Sequence, residues 1–424
     1  MTHRRTLVAG ALSLALLGGA CNQDELFTSL PPQYAGGAMF QRYVAMGNSI
    51  TAGFQSAGIN DTLQRRSYAV LLASVMGGDP FYYPSLNNPG CPPPFDSVFT
   101  ASGIPHRLGG ASSTTCFFRN AALPPYISNV AVPGAEALDL LQNGPGTGTN
   151  SNALTQLFLG GRTQVQAMMD AHPTFVSVWA GNNDVLGAAT NSANAGDSTL
   201  ITPVATYQSE FGDIADAVTS TDAGAVIIGV ANVTAIPFFS QGATYWAIKN
   251  GLVPGAAFPA AFTVSNNCAP IATGIPGARG DSVLVPFPYG GALLAAASPP
   301  NNQPRNLDCA DTVAAVVVPA ELRRLVSAVL AYNAFDSTTA TQNGWAWLNP
   351  NPTLDSLRAI PTQVAPFPAF TTPSGGPNAC AGNPFGLAFS CDAVHPSAST
   401  HRIIARHLVL AINAKYGSAI PQVP

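Results

Sequence analysis

The sequence predicts an α/β fold with a central parallel sheet, interrupted by two long loop-rich insertions. Three observations point there. Strand-like apolar runs alternate with segments of helical apolar spacing along the chain. The strand-like runs are almost continuously apolar, as in parallel strands covered on both faces. Three of them end in small or polar residues: Gly47-Asn48-Ser49, Pro133-Gly134 and Gly181-Asn182-Asn183-Asp184. In open parallel sheets, ligands bind at the carboxyl ends of the strands.

Taken in order, QRYVAMG (41–47) reads as the first strand, and RSYAVLLASVMG (66–77) has helical spacing. ISNVAVPG (127–134) is a second apolar strand stopping at a glycine, followed by AEALDLLQNG, a short helix with its own glycine stop. RTQVQAMMDAH (162–172) is helical and Pro173 ends it. The β-branched and aromatic TFVSVWAG (174–181) is a buried strand. ATYQSEFGDIADAVTST is helical, and AGAVIIGVANV (223–233) is the clearest strand. An amphipathic helix over 319–335, a strand at GWAWLNP and a closing helix over 397–417 complete the alternation. The interruptions, at about 78–126 and 237–316, are rich in Pro, Gly and aromatics, for example Phe81-Tyr82-Tyr83 and VPFPYGG (285–291). Loops this long are functional or held by cross-links. Two readings stay open for them: a cap forming an apolar acyl pocket, or packing against the sheet edge.

The chain has 424 residues, which permits several domains or one large α/β domain with insertions; a single domain over 40–424 is expected. A 47% hydrophobic content supplies a core, while charged residues are only 9% against roughly 25% in ordinary soluble domains. A formal net charge of -4 with no basic cluster argues against nucleic acid.

At the N-terminus, MTHRRTLVAGALSLALLGGAC places His3, Arg4 and Arg5 before an apolar run from Leu7 to Leu17. The run is shorter than the about 20 residues of a spanning helix and reads as a signal peptide over 1–20. Small residues ending at Cys21 resemble a bacterial lipoprotein cleavage site, although Gly18 stands where leucine is usual. That resemblance implies lipidation of Cys21, membrane attachment through it, and a tether over 21–39. An ordinary signal cut near Ala20, giving a secreted protein, is the other reading. Without Cys21 an even set remains: Cys91, Cys116, Cys268, Cys309, Cys380 and Cys391. An oxidising compartment favours pairing them. Of the many possible connectivities, pairing of sequence neighbours is preferred, because each bridge then closes a Pro/Gly-rich segment. No C-x-x-C pair stands in the sequence, and no metal is expected.

A serine hydroxyl becomes a nucleophile when a base takes its proton and a third group orients the base. Among the histidines, His3 lies in the signal, His172 in a helix stop and His106 in an insertion; His401 and His407 read as surface or packing residues of the closing helix. His395 differs, because CDAVHPSAST places Asp392 three residues ahead of it in a loop before a helix. Asn183 and the small backbone at Gly134 are the right types to donate to a developing oxyanion.

Together these blocks resemble the SGNH/GDSL hydrolase superfamily. They stand here as Gly47-Asn48-Ser49-Ile50, Gly134 within NVAVPGA, Gly181-Asn182-Asn183-Asp184, and Asp392-Ala393-Val394-His395. Asn48 occupies the place of the usual aspartate. The spacing Ile50-Thr51-Ala52-Gly53 after the serine differs from the G-x-S-x-G turn of α/β-hydrolases. The resemblance implies a flavodoxin-like αβα sandwich and carboxylic ester hydrolysis without a metal or cofactor. It implies a catalytic set of Ser49, Asp392 and His395, and an oxyanion hole from Ser49, Gly134 and Asn183. A small-molecule or lipid ester is the expected substrate, and a monomer the expected state. An acetyl-esterase acting on sugars or glycans and a non-catalytic surface binding protein on the same fold are the alternatives.

Overall fold

The computed structural model describes residues 37–99, 105–117, 124–142, 153–367 and 378–424. Cys21, the signal segment and most of the tether lie outside the described residues. Strands β1 (Tyr43–Gly47), β2 (Phe175–Trp179), β3 (Gly224–Ile228) and β4 (Ala346–Leu348) form one parallel sheet in the order β1-β2-β3-β4. On the outer side of β1, Ala45 bridges Asn129 in parallel. There Ala45 N donates to Ser128 O at 2.7 Å and Val130 N to Ala45 O at 2.9 Å. Counting that segment second in sequence gives the flavodoxin-like order 2-1-3-4-5.

The expected strand over 127–134 is thus reduced to an isolated bridge. Pro133 has no N–H for a ladder. Asn129 spends its side chain on the Thr51 carbonyl, 2.8 Å away. Val132 N still donates to Gly47 O at 3.2 Å, so the segment follows β1 past the bridge.

Strand alternation sends residues to two helical layers. Val44, Met46, Val176, Val178 and Ile227 pack with Met168, Ile214 and Val329. Those three belong to α3 (Gln164–Asp170), α5 (Val204–Thr219) and α6 (Pro319–Gln342). On the opposite face Tyr43, Ala45, Phe175, Val226 and Ile228 pack with Leu72, Leu408 and Ile412, from α2 (Tyr68–Met76) and α7 (Ala398–Tyr416). Each fully buried large side chain contributes about 1.5–3 kcal/mol relative to an exposed one. Two short helices follow strand ends: α1 (Ser49–Ala52) after β1 and α4 (Asn183–Thr190) after β2.

The helix ends follow the sequence. Ser67 caps α2 by accepting from Val70 N, and left-handed Gly77 closes it. Ser397 and Gly417 do the same for α7. Thr163 and Gln166 form a capping box on α3. Helix α6 has 24 residues and outruns the 319–335 expected. Its polar last turns still bury Asp336 and Thr339, so packing overrides their modest propensity.

Both insertions hold more regular structure than expected. In the first, Phe95–Phe99 pairs antiparallel with His106–Arg107 and with the distant Asn378–Ala379. The second contains helices over Gly242–Lys249 and Phe287–Ala297. Its own small core joins Tyr245, Phe262, Val283, Val285 and Leu307. Cysteines pair as Cys91–Cys116, Cys268–Cys309 and Cys380–Cys391, the neighbour pairing preferred from the sequence. Among the described residues no helix is long and apolar enough to cross a membrane.

Candidate active site

Ser49 owes its position to a sharp strand-to-helix turn. Gly47 ends β1 at φ 148°, and a Cβ there would stand 2.5 Å from the Trp179 carbonyl oxygen. Buried Gln164 clamps it: Gly47 N donates to Oε1 at 2.9 Å, and Nε2 donates to Gly47 O at 2.8 Å. Asn48 Oδ1 then accepts from Ile50 N at 3.1 Å, capping α1. Ser49 is the first residue of that helix, so the helix itself leaves its N–H without a partner. An asparagine at position 48 caps as an aspartate does, but brings no charge.

The D-x-x-H turn comes to the same point. His395 Nε2 lies 2.9 Å from Ser49 Oγ, and His395 Nδ1 lies 2.8 Å from Asp392 Oδ2. Asp392 Oδ1 accepts from the N–H groups of Val394 and His395, each at 2.9 Å. Oδ2 also accepts from Ala57 N at 2.6 Å. Burial pushes the Asp392 carboxyl up, but His395 and these amides outweigh it and hold the group at about 2. An ionised Asp392 accepts the hydrogen bond of Nδ1–H, which leaves Nε2 to accept from the Ser49 hydroxyl.

Several supporting residues carry no signal in the sequence. The loop after α1 is stitched to the acid-bearing turn: Ser56 N donates to Ser390 Oγ at 2.8 Å, and Cys391 N donates to Ser56 Oγ at 3.1 Å. Ser56 and Ala57 both hold left-handed φ, 54° and 53°, without being glycine. Such residues cost on the order of 1 kcal/mol each and persist where surroundings over-determine them. Arg107 of the first insertion braces this loop by donating to Ala57 O at 2.6 Å and Pro93 O at 2.7 Å. The Phe54 ring packs 5.0 Å from the imidazole of His395. Cys380–Cys391 anchors the residue just before Asp392.

Asn183 opens α4 at the end of β2 and lines, with Ser49 and His395, a cavity of about 100 Å³. Its amide donates to Ala135 O at 2.8 Å; an amide nitrogen has a second N–H. Gly134, at φ 88°, lies in the turn that this bond holds, but it is not among the residues lining that cavity. Asp184 Oδ2 holds the same turn by accepting from Ala137 N at 3.0 Å. Burial pushes Asp184 up to about 7, with Glu136 and Glu210 adding to the shift.

Of the remaining histidines that the structure describes, His401 is a core residue, His106 and His172 are exposed, and His407 is half-buried. His401 is fully buried, and its Nδ1 accepts from Tyr68 N at 3.2 Å. Burial lowers it to about 3, so it stays neutral. His407 Nδ1 pairs with Thr353 Oγ1 at 2.9 Å, and His106 pairs with Asp96. Among the described residues no group of three His, Cys, Asp or Glu side chains is placed to hold a metal ion.

No family model and no curated protein matches this chain. Solved structures do resemble it. A catalytic mutant of an acetylxylan esterase from Geobacillus stearothermophilus is 10% identical, over 89% of this chain and 94% of that chain, with a TM-score of 0.36. An acetyl xylan esterase is 8% identical over 87% of this chain and 99% of that chain, with a TM-score of 0.34. An alpha/beta hydrolase enzyme from the metagenome of Lake Arreo, Spain, is 12% identical over 90% and 98%, with a TM-score of 0.34. At these scores the likeness carries no weight for the chemistry, which rests on the site itself.

Proposed function

We propose that the protein is a carboxylic ester hydrolase of the SGNH type that works through an acyl-enzyme on Ser49. The observation that carries this reading is the chain from Ser49 through His395 to Asp392, with contacts of 2.9 and 2.8 Å. His395 Nε2 takes the hydroxyl proton as Oγ attacks the ester carbonyl carbon. Asp392 fixes the tautomer and stabilises the imidazolium that forms. The negative charge on the former carbonyl oxygen meets the N–H of Ser49 and the second amide N–H of Asn183, while Gly134, outside the cavity lining, is the third donor that the sequence resemblance implies. One such donor is worth about 2.7–4 kcal/mol in the transition state. His395 then protonates the leaving alcohol, and a water activated by the same imidazole releases the acid.

Export fits this chemistry. We take residues 1–20 as a signal peptide and Cys21 as the lipidated anchor of an envelope protein. Three disulfides among the described residues support an oxidising compartment. Ester substrate is the expected partner, and a monomer the expected state.

The test is turnover of a chromogenic short-chain ester by the wild type and by Ser49→Ala. Loss of at least about 1,000-fold in kcat with an unchanged melting temperature supports the reading. Undiminished turnover overturns it.

A further inference from the structure

A second cavity shares His395 and Val394 with the one beside Ser49. Its volume is about 770 Å³, against about 100 Å³ for the one beside Ser49. Both insertions build it: Phe95 comes from the first, and Phe258 and Phe287 from the second. His395 and Asp392 form part of its wall, whereas Ser49 and Asn183 do not. Ala292 and Ala295 on its wall are exposed, so it opens to solvent.

We infer that this larger cavity receives the alcohol portion of the substrate, and that this portion is apolar and bulky. The inference rests on the ester hydrolase reading. In that reaction the acyl carbon bonds to Ser49 Oγ, so the acyl chain must begin in the space Ser49 faces. The bond from that carbon to the alcohol oxygen breaks with its electron pair on the oxygen, which takes the proton from His395 Nε2. A cavity walled by the imidazole but not by the serine therefore lies on the leaving side.

Chemistry of the wall sets the substrate class. Among the described residues lining it, only Ser298, Asp392 and His395 carry polar side chains other than the disulfide sulfur of Cys391. Asp392 and His395 are engaged with each other. Ser298 Oγ already donates to Leu294 O at 2.8 Å. A sugar entering here would exchange water for a wall of Phe, Pro, Ala and Leu and leave its hydroxyls unpaired, which is costly. An aliphatic or aromatic alcohol gains from the same wall.

Gly291 provides the test. It lies within Phe287–Ala297 on the cavity wall, and a Cβ there meets nothing within 4 Å. Replacing a glycine inside a helix also favours the helix, so Gly291→Phe adds bulk without a folding penalty. Two ester series are measured on the wild type, Gly291→Phe and Gly291→Leu: acetates of ethanol, hexanol and 2-naphthol, and ethyl esters of acetic, hexanoic and decanoic acids. Ser49→Ala is run as the control, and thermal melting reports folding. The wild type is expected to prefer naphthyl or hexyl acetate over ethyl acetate. Gly291→Phe is expected to lower that ratio by about tenfold or more while leaving the ratios within the acyl series in place. Collapse of the acyl ratios instead makes the cavity an acyl pocket and overturns the inference. Unchanged ratios in both series, in a variant that melts as the wild type does, overturn it as well. In either case Ser49-dependent turnover leaves the hydrolase reading standing. Turnover that Ser49→Ala retains removes that reading and the inference with it.

Discussion

His395 Nε2 stands 2.9 Å from Ser49 Oγ although the residues are 346 positions apart in the chain. Neither segment reaches the other unaided. Gly47 and Gln164 fix the serine, and the stitched loops at Ser56 and Ser390 fix the turn that carries the imidazole.

Asp392→Asn keeps the shape of the turn but presents an amide to Nδ1, which favours the wrong tautomer. Activity is expected to fall by roughly 10³- to 10⁴-fold with KM little changed, read from steady-state kinetics. The same group has a stability signature. Its carboxyl is lowered from 3.8 to about 2, so its contribution is complete above pH 4 and is lost as pH falls through about 2. Denaturant unfolding between those values is expected to show a loss of about 2 kcal/mol in the wild type that the variant lacks. A variant with the same acid slope would contradict this.

Asp184 has the opposite sign. Its carboxyl is raised from 3.8 to about 7, chiefly by burial. Its contribution is therefore complete below pH 4 and is lost as pH rises through about 7. Asp184→Asn keeps an oxygen for Ala137 N and removes the need to ionise. Melting curves are expected to show the variant gaining on the wild type between pH 5 and pH 8; a constant difference would contradict the account.

Gly47→Ala places a methyl against the Trp179 carbonyl and Thr51 Oγ1, at 2.5 and 2.7 Å. Those are backbone and a short side chain, so neither yields cheaply. A loss of at least about 2 kcal/mol is expected by chemical denaturation, together with a larger fall in kcat than in stability, because Ser49 moves with the turn. Wild-type kcat in this variant would count against the positioning role given to Gly47.

Reducing or replacing Cys380–Cys391 frees the residue before Asp392. The bridge spans 11 positions, for which chain entropy gives about 3 kcal/mol. Cys380→Ser/Cys391→Ser is expected to melt earlier and to lose activity at temperatures where it is still folded. Full activity up to its melting point would show that the turn does not need the bridge.

The strand ends were legible because each is an apolar run cut short by glycine or asparagine, and the D-x-x-H turn because its partners are local. Ser56, Ser390 and Arg107 were not, since their contacts join segments up to 335 positions apart and leave no periodic trace. The strand expected over 127–134 keeps backbone hydrogen bonds to β1 at Ser128, Val130 and Val132 but only one regular bridge, because apolar content does not reveal that Pro133 has no N–H to extend a ladder. Inside the insertions, proline and glycine mask the alternation that would announce the small core around Tyr245 and Phe262.

The most direct test is covalent trapping with a serine-reactive phosphonate ester, followed by peptide mapping of the wild type, Ser49→Ala and His395→Ala. A single adduct on Ser49 in the wild type, absent from Ser49→Ala and formed far more slowly in His395→Ala, is the predicted result. An adduct elsewhere, or equal labelling of Ser49 without His395, would contradict the account.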